Sequence, residues 1–110
     1  MERLKNKIAV ITGGADGIGK AATEKFASEG AIVYIWDVNQ EKGEALAEGL
    51  GENVFFQHAD TTRPDMLESL VSIIIEKHQN IDILINNAGI TRDASMKKMS
   101  AEQWQQVIDV

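Results

Sequence analysis

Thr12-Gly13-Gly14-Ala15-Asp16-Gly17-Ile18-Gly19 is the stretch on which the fold turns. Before it runs Ile8-Ala9-Val10-Ile11, a short apolar segment that reads as a strand buried on both faces. After it, from Gly17 to Glu29, Ile18, Ala21, Ala22 and Phe26 recur at helical spacing, and Gly30 supplies the stop. Glycines in such a turn permit tight backbone geometry and let peptide groups approach a pyrophosphate whose charge sits at the helix N-terminus. The spacing is Gly-x-x-x-Gly-x-Gly, distinct from the commoner Gly-x-Gly-x-x-Gly. Taken alone, the turn also fits a purely structural strand-to-helix connection. Gly14 to Lys20 matches the Gly-x-x-x-x-Gly-Lys frame of a P-loop, but Ala21 stands where that motif needs a magnesium-ligating hydroxyl, so nucleotide hydrolysis is rejected.

Outward from the turn, two element types alternate. Ala31 to Trp36 reads as a second buried strand, and Asn39 caps a helix to about Leu50, with Glu41 near its positive end and Gly51 beyond. Val54-Phe55-Phe56 is a third strand. Thr62 with Asp65, and Pro64 between them, marks the start of a helix carrying Leu67, Leu70, Val71 and Ile74 on one stripe. Ile81 to Ile85 is a fourth strand, and Ser100 with Gln103 opens a fourth helix. The order βαβαβαβα predicts an α/β fold, a partial Rossmann fold with a parallel sheet of about four strands in the order 3-2-1-4, flanked by helices and joined by right-handed crossovers. Residues 1–110 form one continuous unit without repeat or linker.

Composition narrows the function. The 110 residues are 44% hydrophobic, enough for a packed core. A formal charge of −6 argues against general affinity for nucleic acid or anionic membrane, which need surplus Lys and Arg. The absence of cysteine excludes disulfides and thiolate metal sites and suits a reducing compartment. Met1-Glu2-Arg3-Leu4 lacks the apolar core of a signal peptide, and Ile73-Ile74-Ile75 is far too short to span a bilayer, so a cytoplasmic location is expected.

Asp37 ends the second strand, 18 residues beyond Gly19. A carboxylate there can accept hydrogen bonds from both hydroxyls of an adenosine ribose and would repel a 2′-phosphate, which favours NAD over NADP. Its plain alternative is a solvated strand end. Asp16 occupies the turn where an arginine could have met that phosphate, and Lys42 is the only cation nearby.

Two motifs together carry a resemblance. Thr12-Gly13-x-x-x-Gly17-Ile18-Gly19 resembles the cofactor signature of classical short-chain dehydrogenases/reductases, and Asn86-Asn87-Ala88-Gly89 resembles their second signature. The likeness extends over essentially the whole chain, which looks like the N-terminal dinucleotide-binding half of such a protein. It implies cofactor contacts from Thr12, Gly13, Ala15, Asp16, Gly17, Ile18 and Gly19, then from Asp37 and Val38. It further implies that Asp60 touches the adenine edge with Thr61 beside it, that Asn87, Ala88 and Gly89 line the ribose side, and that Ile90 approaches the cofactor. Capping or turn formation is the alternative for Asp60, and steadying of the sheet the alternative for Asn86. Gly89-Ile90-Thr91-Arg92-Asp93, Met99-Ser100 and Trp104 are similar to 3-oxoacyl-acyl-carrier-protein reductases of fatty-acid synthesis, whose usual NADPH preference Asp37 and Asp16 do not match.

The family's catalytic tyrosine works as a general acid or base beside a lysine in a Tyr-x-x-x-Lys pair. Here the one tyrosine is Tyr34, and four residues on stands Val38. No residue is therefore assigned a catalytic role, and none a metal-binding role; His58 and His78 are expected to be solvated. The chain is expected to be a fragment whose parent adds two strands, and to self-associate through the fourth-strand edge or the stub helix. Three functions compete: the cofactor-holding part of an oxidoreductase acting on a small carbonyl or acyl-thioester substrate, a non-catalytic dinucleotide or adenosine binder, and a self-associating structural piece.

Overall fold

In a computed structural model of the chain, residues 3–87 are described. Ala88, Gly89, Ile90, the expected helix start at Ser100 and Gln103, and Trp104 lie outside them. Strand β1 (Ile8–Thr12), helix α1 (Gly17–Ser28), β2 (Ile32–Asp37), α2 (Gln40–Leu50), β3 (Val54–His58), α3 (Pro64–His78) and β4 (Ile83–Asn86) follow one another. The four strands form one parallel sheet in the order β3-β2-β1-β4, as expected from the sequence.

Period-two alternation divides the strand side chains between two faces. Val10, Tyr34 and Trp36 point to one face and pack with Leu67, Val71 and Ile74 of α3. Ala9, Ile11, Val33 and Ile35 point to the other, against Ala22 and Phe26 of α1 and Leu46 and Ala47 of α2. Ile11, Ile35, Leu67 and Ile74 have no more than trace exposure, and each such side chain contributes about 1.5–3 kcal/mol of burial. Among the described residues, no helix is long and apolar enough to cross a membrane.

Several boundaries differ from the sequence reading. Helix α3 is not capped by Thr62. Its N-cap is Arg63, without a side-chain cap bond, because Pro64 fixes the first helical position and leaves Thr62 one residue too early. The Thr62 hydroxyl instead donates to Asp60 Oδ1 at 2.6 Å. Strand β4 starts at Ile83, since the Asp82 carboxylate takes the Ile8 amide at 2.8 Å and sets the entry to the ladder through its side chain. Strand β3 runs further than expected, to His58, which pairs in register with Asp37 at the end of β2, and β2 starts at Ile32, one residue later than expected.

His78 also departs from expectation. It ends α3 half-buried, with Nε2 2.7 Å from the Tyr34 hydroxyl and its ring edge-on to Tyr34. Phe55 stacks on the other side of Tyr34, and Lys77 lies over Phe55. Burial, and secondarily the Lys77 charge, hold the His78 imidazole below its ordinary pKa, while burial raises that of the Tyr34 phenol. Helical spacing could not reveal this contact, which joins residues 44 apart. His58 is exposed.

Candidate functional site

Parallel register gathers the carboxyl ends of β1, β2, β3 and β4 at one edge of the sheet, where ligands of open α/β folds bind. The glycine-rich turn leaves β1 at that edge and is tied down on every side. The Gly13 amide donates to the Trp36 carbonyl at 2.7 Å, linking the turn to β2. The buried Thr12 hydroxyl lies 3.1 Å from Asn86 Oδ1, linking β1 to the end of β4. Asn87 Nδ2 donates to the Gly13 carbonyl at 3.4 Å. Beneath the turn, the Thr23 hydroxyl sits 3.1 Å from the Gly14 carbonyl and 2.9 Å from that of Gly19, wholly out of solvent. Thr23 was not singled out by the sequence, because its partners are backbone carbonyls that no residue pattern displays.

Gly19 is required by close approach. A Cβ there would collide with the Gly13 carbonyl oxygen and approach Asn87 Nδ2 to 2.9 Å. The absence of that side chain lets the start of α1 fold directly over the turn. Asp16 caps the helix, its Oδ1 accepting from the Gly17 amide at 2.9 Å. The next amides, of Ile18 and Gly19, belong to the helix's first turn and have no intrahelical acceptor. With the positive end of the helix dipole, they make an anion-receptive terminus.

Asp37 stands at the mouth of this turn. Its Oδ2 accepts from the Ala15 amide at 3.1 Å and its Oδ1 from the Asn39 amide at 2.9 Å. Asn39 caps α2 by accepting from the Lys42 amide at 3.0 Å. The Lys42 ammonium reaches back 2.9 Å to Asp16 Oδ2. Asp37, Asn39, Lys42, Asp16 and Ala15 therefore close a ring that joins the turn to the start of α2. The lysine hydrogen bond, then the Gly17 amide, hold the Asp16 carboxyl below its ordinary pKa, and Asp16 in turn raises that of Lys42. Flanking the ring, Ile18 is 79% and Val38 60% exposed, an unusual degree for residues of this size.

One strand further out, the Ala59 amide donates to the Asp37 carbonyl at 3.1 Å and carries Asp60 and Thr61 to the same edge. Asp60 Oδ1 accepts from both the amide and the hydroxyl of Thr62, at 2.9 and 2.6 Å, which lowers its pKa and folds the β3–α3 connection. The turn-forming alternative thus describes this oxygen. The structure brings together Gly13, Ala15, Asp16, Gly17, Ile18, Gly19, Asp37, Val38 and Asn87, with Asp60 and Thr61 on the adjacent strand end. Thr12 is at the same edge, with its side chain turned onto β4.

A cradle too tight for a Cβ, a helix terminus with open amides and a carboxylate at its mouth meet at one edge of a parallel α/β sheet, and residues 7–110 match the family model described as short chain dehydrogenase. The chain belongs to the short-chain dehydrogenase family. It is 43% identical over 110 residues to the 3-oxoacyl-acyl-carrier-protein reductase FabG of Chlamydia trachomatis, covering 96% of this chain and 44% of that one. Against the protein of the same name from Thermotoga maritima, identity is 44% over 111 residues, covering 98% and 45%. The (+)-borneol dehydrogenase 1 of Salvia officinalis is 36% identical over 102 residues, covering 93% and 39%. The chain thus spans less than half the length of the curated relatives it matches.

Proposed function

We propose that the chain holds a nicotinamide dinucleotide, NAD in preference to NADP, for an oxidoreductase that moves hydride between the nicotinamide ring and a carbonyl or hydroxyl carbon. The observation that carries this reading is the Asp37 carboxylate bonded to the Ala15 amide at the mouth of the glycine turn. The Ile18 and Gly19 amides and the α1 terminus receive the diphosphate. Asp37 accepts from the ribose hydroxyls and repels a phosphate in their place. Ile18 and Val38 offer apolar contact to the adenosine, and the second Asp60 oxygen, with Thr61, faces the adenine edge. By resemblance, Asn87, Ala88 and Gly89 line the ribose side and Ile90 approaches the cofactor. Hydride exchange at nicotinamide is the chemistry the cofactor supplies when bound.

The names of the bacterial relatives favour a 3-oxoacyl thioester on acyl-carrier protein as the substrate. The acidic, cysteine-free composition favours a cytoplasmic protein, and the position of β4 at the edge of the sheet favours self-association through that edge. A second reading, a dinucleotide binder without turnover, is favoured for these residues alone by the lack of a Tyr-x-x-x-Lys pair in the sequence.

Calorimetric titration with ADP-ribose, NADH and NADPH tests the proposal. ADP-ribose and NADH are expected to bind, with NADPH weaker by about tenfold or more, a discrimination worth about 1.4 kcal/mol. No heat from any of the three at millimolar ligand would overturn it.

A further inference from the structure

We propose that Lys42 is the specificity-determining cation of the site, a latent phosphate partner that Asp16 holds in check. This rests on the dinucleotide reading above and concerns which dinucleotide is accepted. Lys42 is on the first turn of α2 and enters the ring through two independent bonds, its amide to the Asn39 cap and its ammonium to Asp16. Asp16 comes from the other element, the turn before α1, where its second oxygen caps the helix. The ion pair therefore bridges the two elements on either side of Asp37. Both partners are largely exposed, at 55% and 71%, so the pair contributes little to folding and its replacement reads out on ligand charge.

The electrostatic logic is local. Two carboxylates, Asp16 and Asp37, flank the position a ribose edge would take; the Lys42 ammonium is bonded to the first and feels the second, while Lys20 acts on Asp16 only through space and more weakly. With Lys42 held on Asp16, its charge is spent on that carboxylate and Asp37 is left to repel a 2′-phosphate carrying up to two charges, while a 2′-hydroxyl is not repelled. Neutralising Asp16 removes one repelling charge and frees an ammonium for a charge-assisted bond to the same phosphate. The lysine side chain thus sets the direction of preference by what holds it.

The test compares ADP-ribose with 2′-phospho-ADP-ribose by calorimetry on the wild type, D16N, D16S and D16N/K42M. Asn and Ser retain helix-capping ability, so α1 keeps its start. The preference for ADP-ribose is expected to fall about tenfold in D16N and D16S and to return in D16N/K42M, the difference isolating the lysine. A fall that persists in the double variant, or no fall in either single variant, overturns the role of Lys42. Loss of both ligands in D16N and D16S alike overturns it too, since Asp16 would then serve binding itself. Failure of the wild type to bind ADP-ribose removes the dinucleotide reading, and this inference with it, whereas wild-type binding with an unchanged ratio removes this inference alone.

Discussion

The Thr23 hydroxyl has one proton for two carbonyls, those of Gly14 and Gly19, and is wholly buried. Thr23→Val keeps the shape and strands both acceptors, so urea unfolding is expected to show a loss of about 1–3 kcal/mol. Gly19→Ala forces a methyl into the Gly13 carbonyl; it is expected to lose about 1–3 kcal/mol of stability and to weaken ADP-ribose binding in the same titrations. Which of these positions a sequence discloses depends on where the partners are. Gly19 and Asp37 were legible because their spacing from β1 and β2 is a property of the chain itself. Thr23 and the Tyr34–His78 contact were invisible, because one answers to backbone oxygens and the other to a residue on a distant helix.

Helices α1 and α2 begin with side-chain caps from Asp16 and Asn39, whereas α3 begins at Arg63 with none. The Arg63 backbone already has the extended geometry of an N-cap, with φ −119 and ψ 92. Arg63→Ser is accordingly expected to stabilise the protein by about 0.5–1 kcal/mol, read from the shift in denaturation midpoint. The exposed Arg63–Asp65 pair given up in the exchange matters little. Element identity and order were readable throughout residues 3–87, since buried strands and striped helices differ in period. Boundaries were less so. The sequence points to Thr62 as the α3 start because its pattern with Asp65 imitates a capping box, whereas the competing bond to Asp60 lies upstream. Strand β4 begins two residues later than its apolar run, because Ile81 is as buried as a strand residue without belonging to the ladder.

Across the whole molecule, the two ends of the sheet have different chemistry. The ring around Asp37 occupies the carboxyl edge, while the Tyr34–His78 contact lies where α3 ends, at its terminal residue. Folding lowers the affinity of His78 for its proton, so the unfolded chain binds that proton more readily. Stability is therefore expected to fall as pH drops from the ordinary 6.5 through the lower folded value. Thermal unfolding across that window should show the fall in the wild type and a flatter profile in H78Q, with ADP-ribose affinity unmoved at neutral pH. The raised Tyr34 phenol predicts a second loss above pH 10. Between these ends lies Gly43, on α2 one residue after Lys42, where any Cβ would strike the ring of Phe56 on β3. The helix thus rests on a flat aromatic floor with no spacer between. A methyl at 43 would act as a shim, lifting Asn39 and Lys42 together, so that on the proposed reading the choice of nucleotide would be retuned from underneath by an atom remote from the cleft.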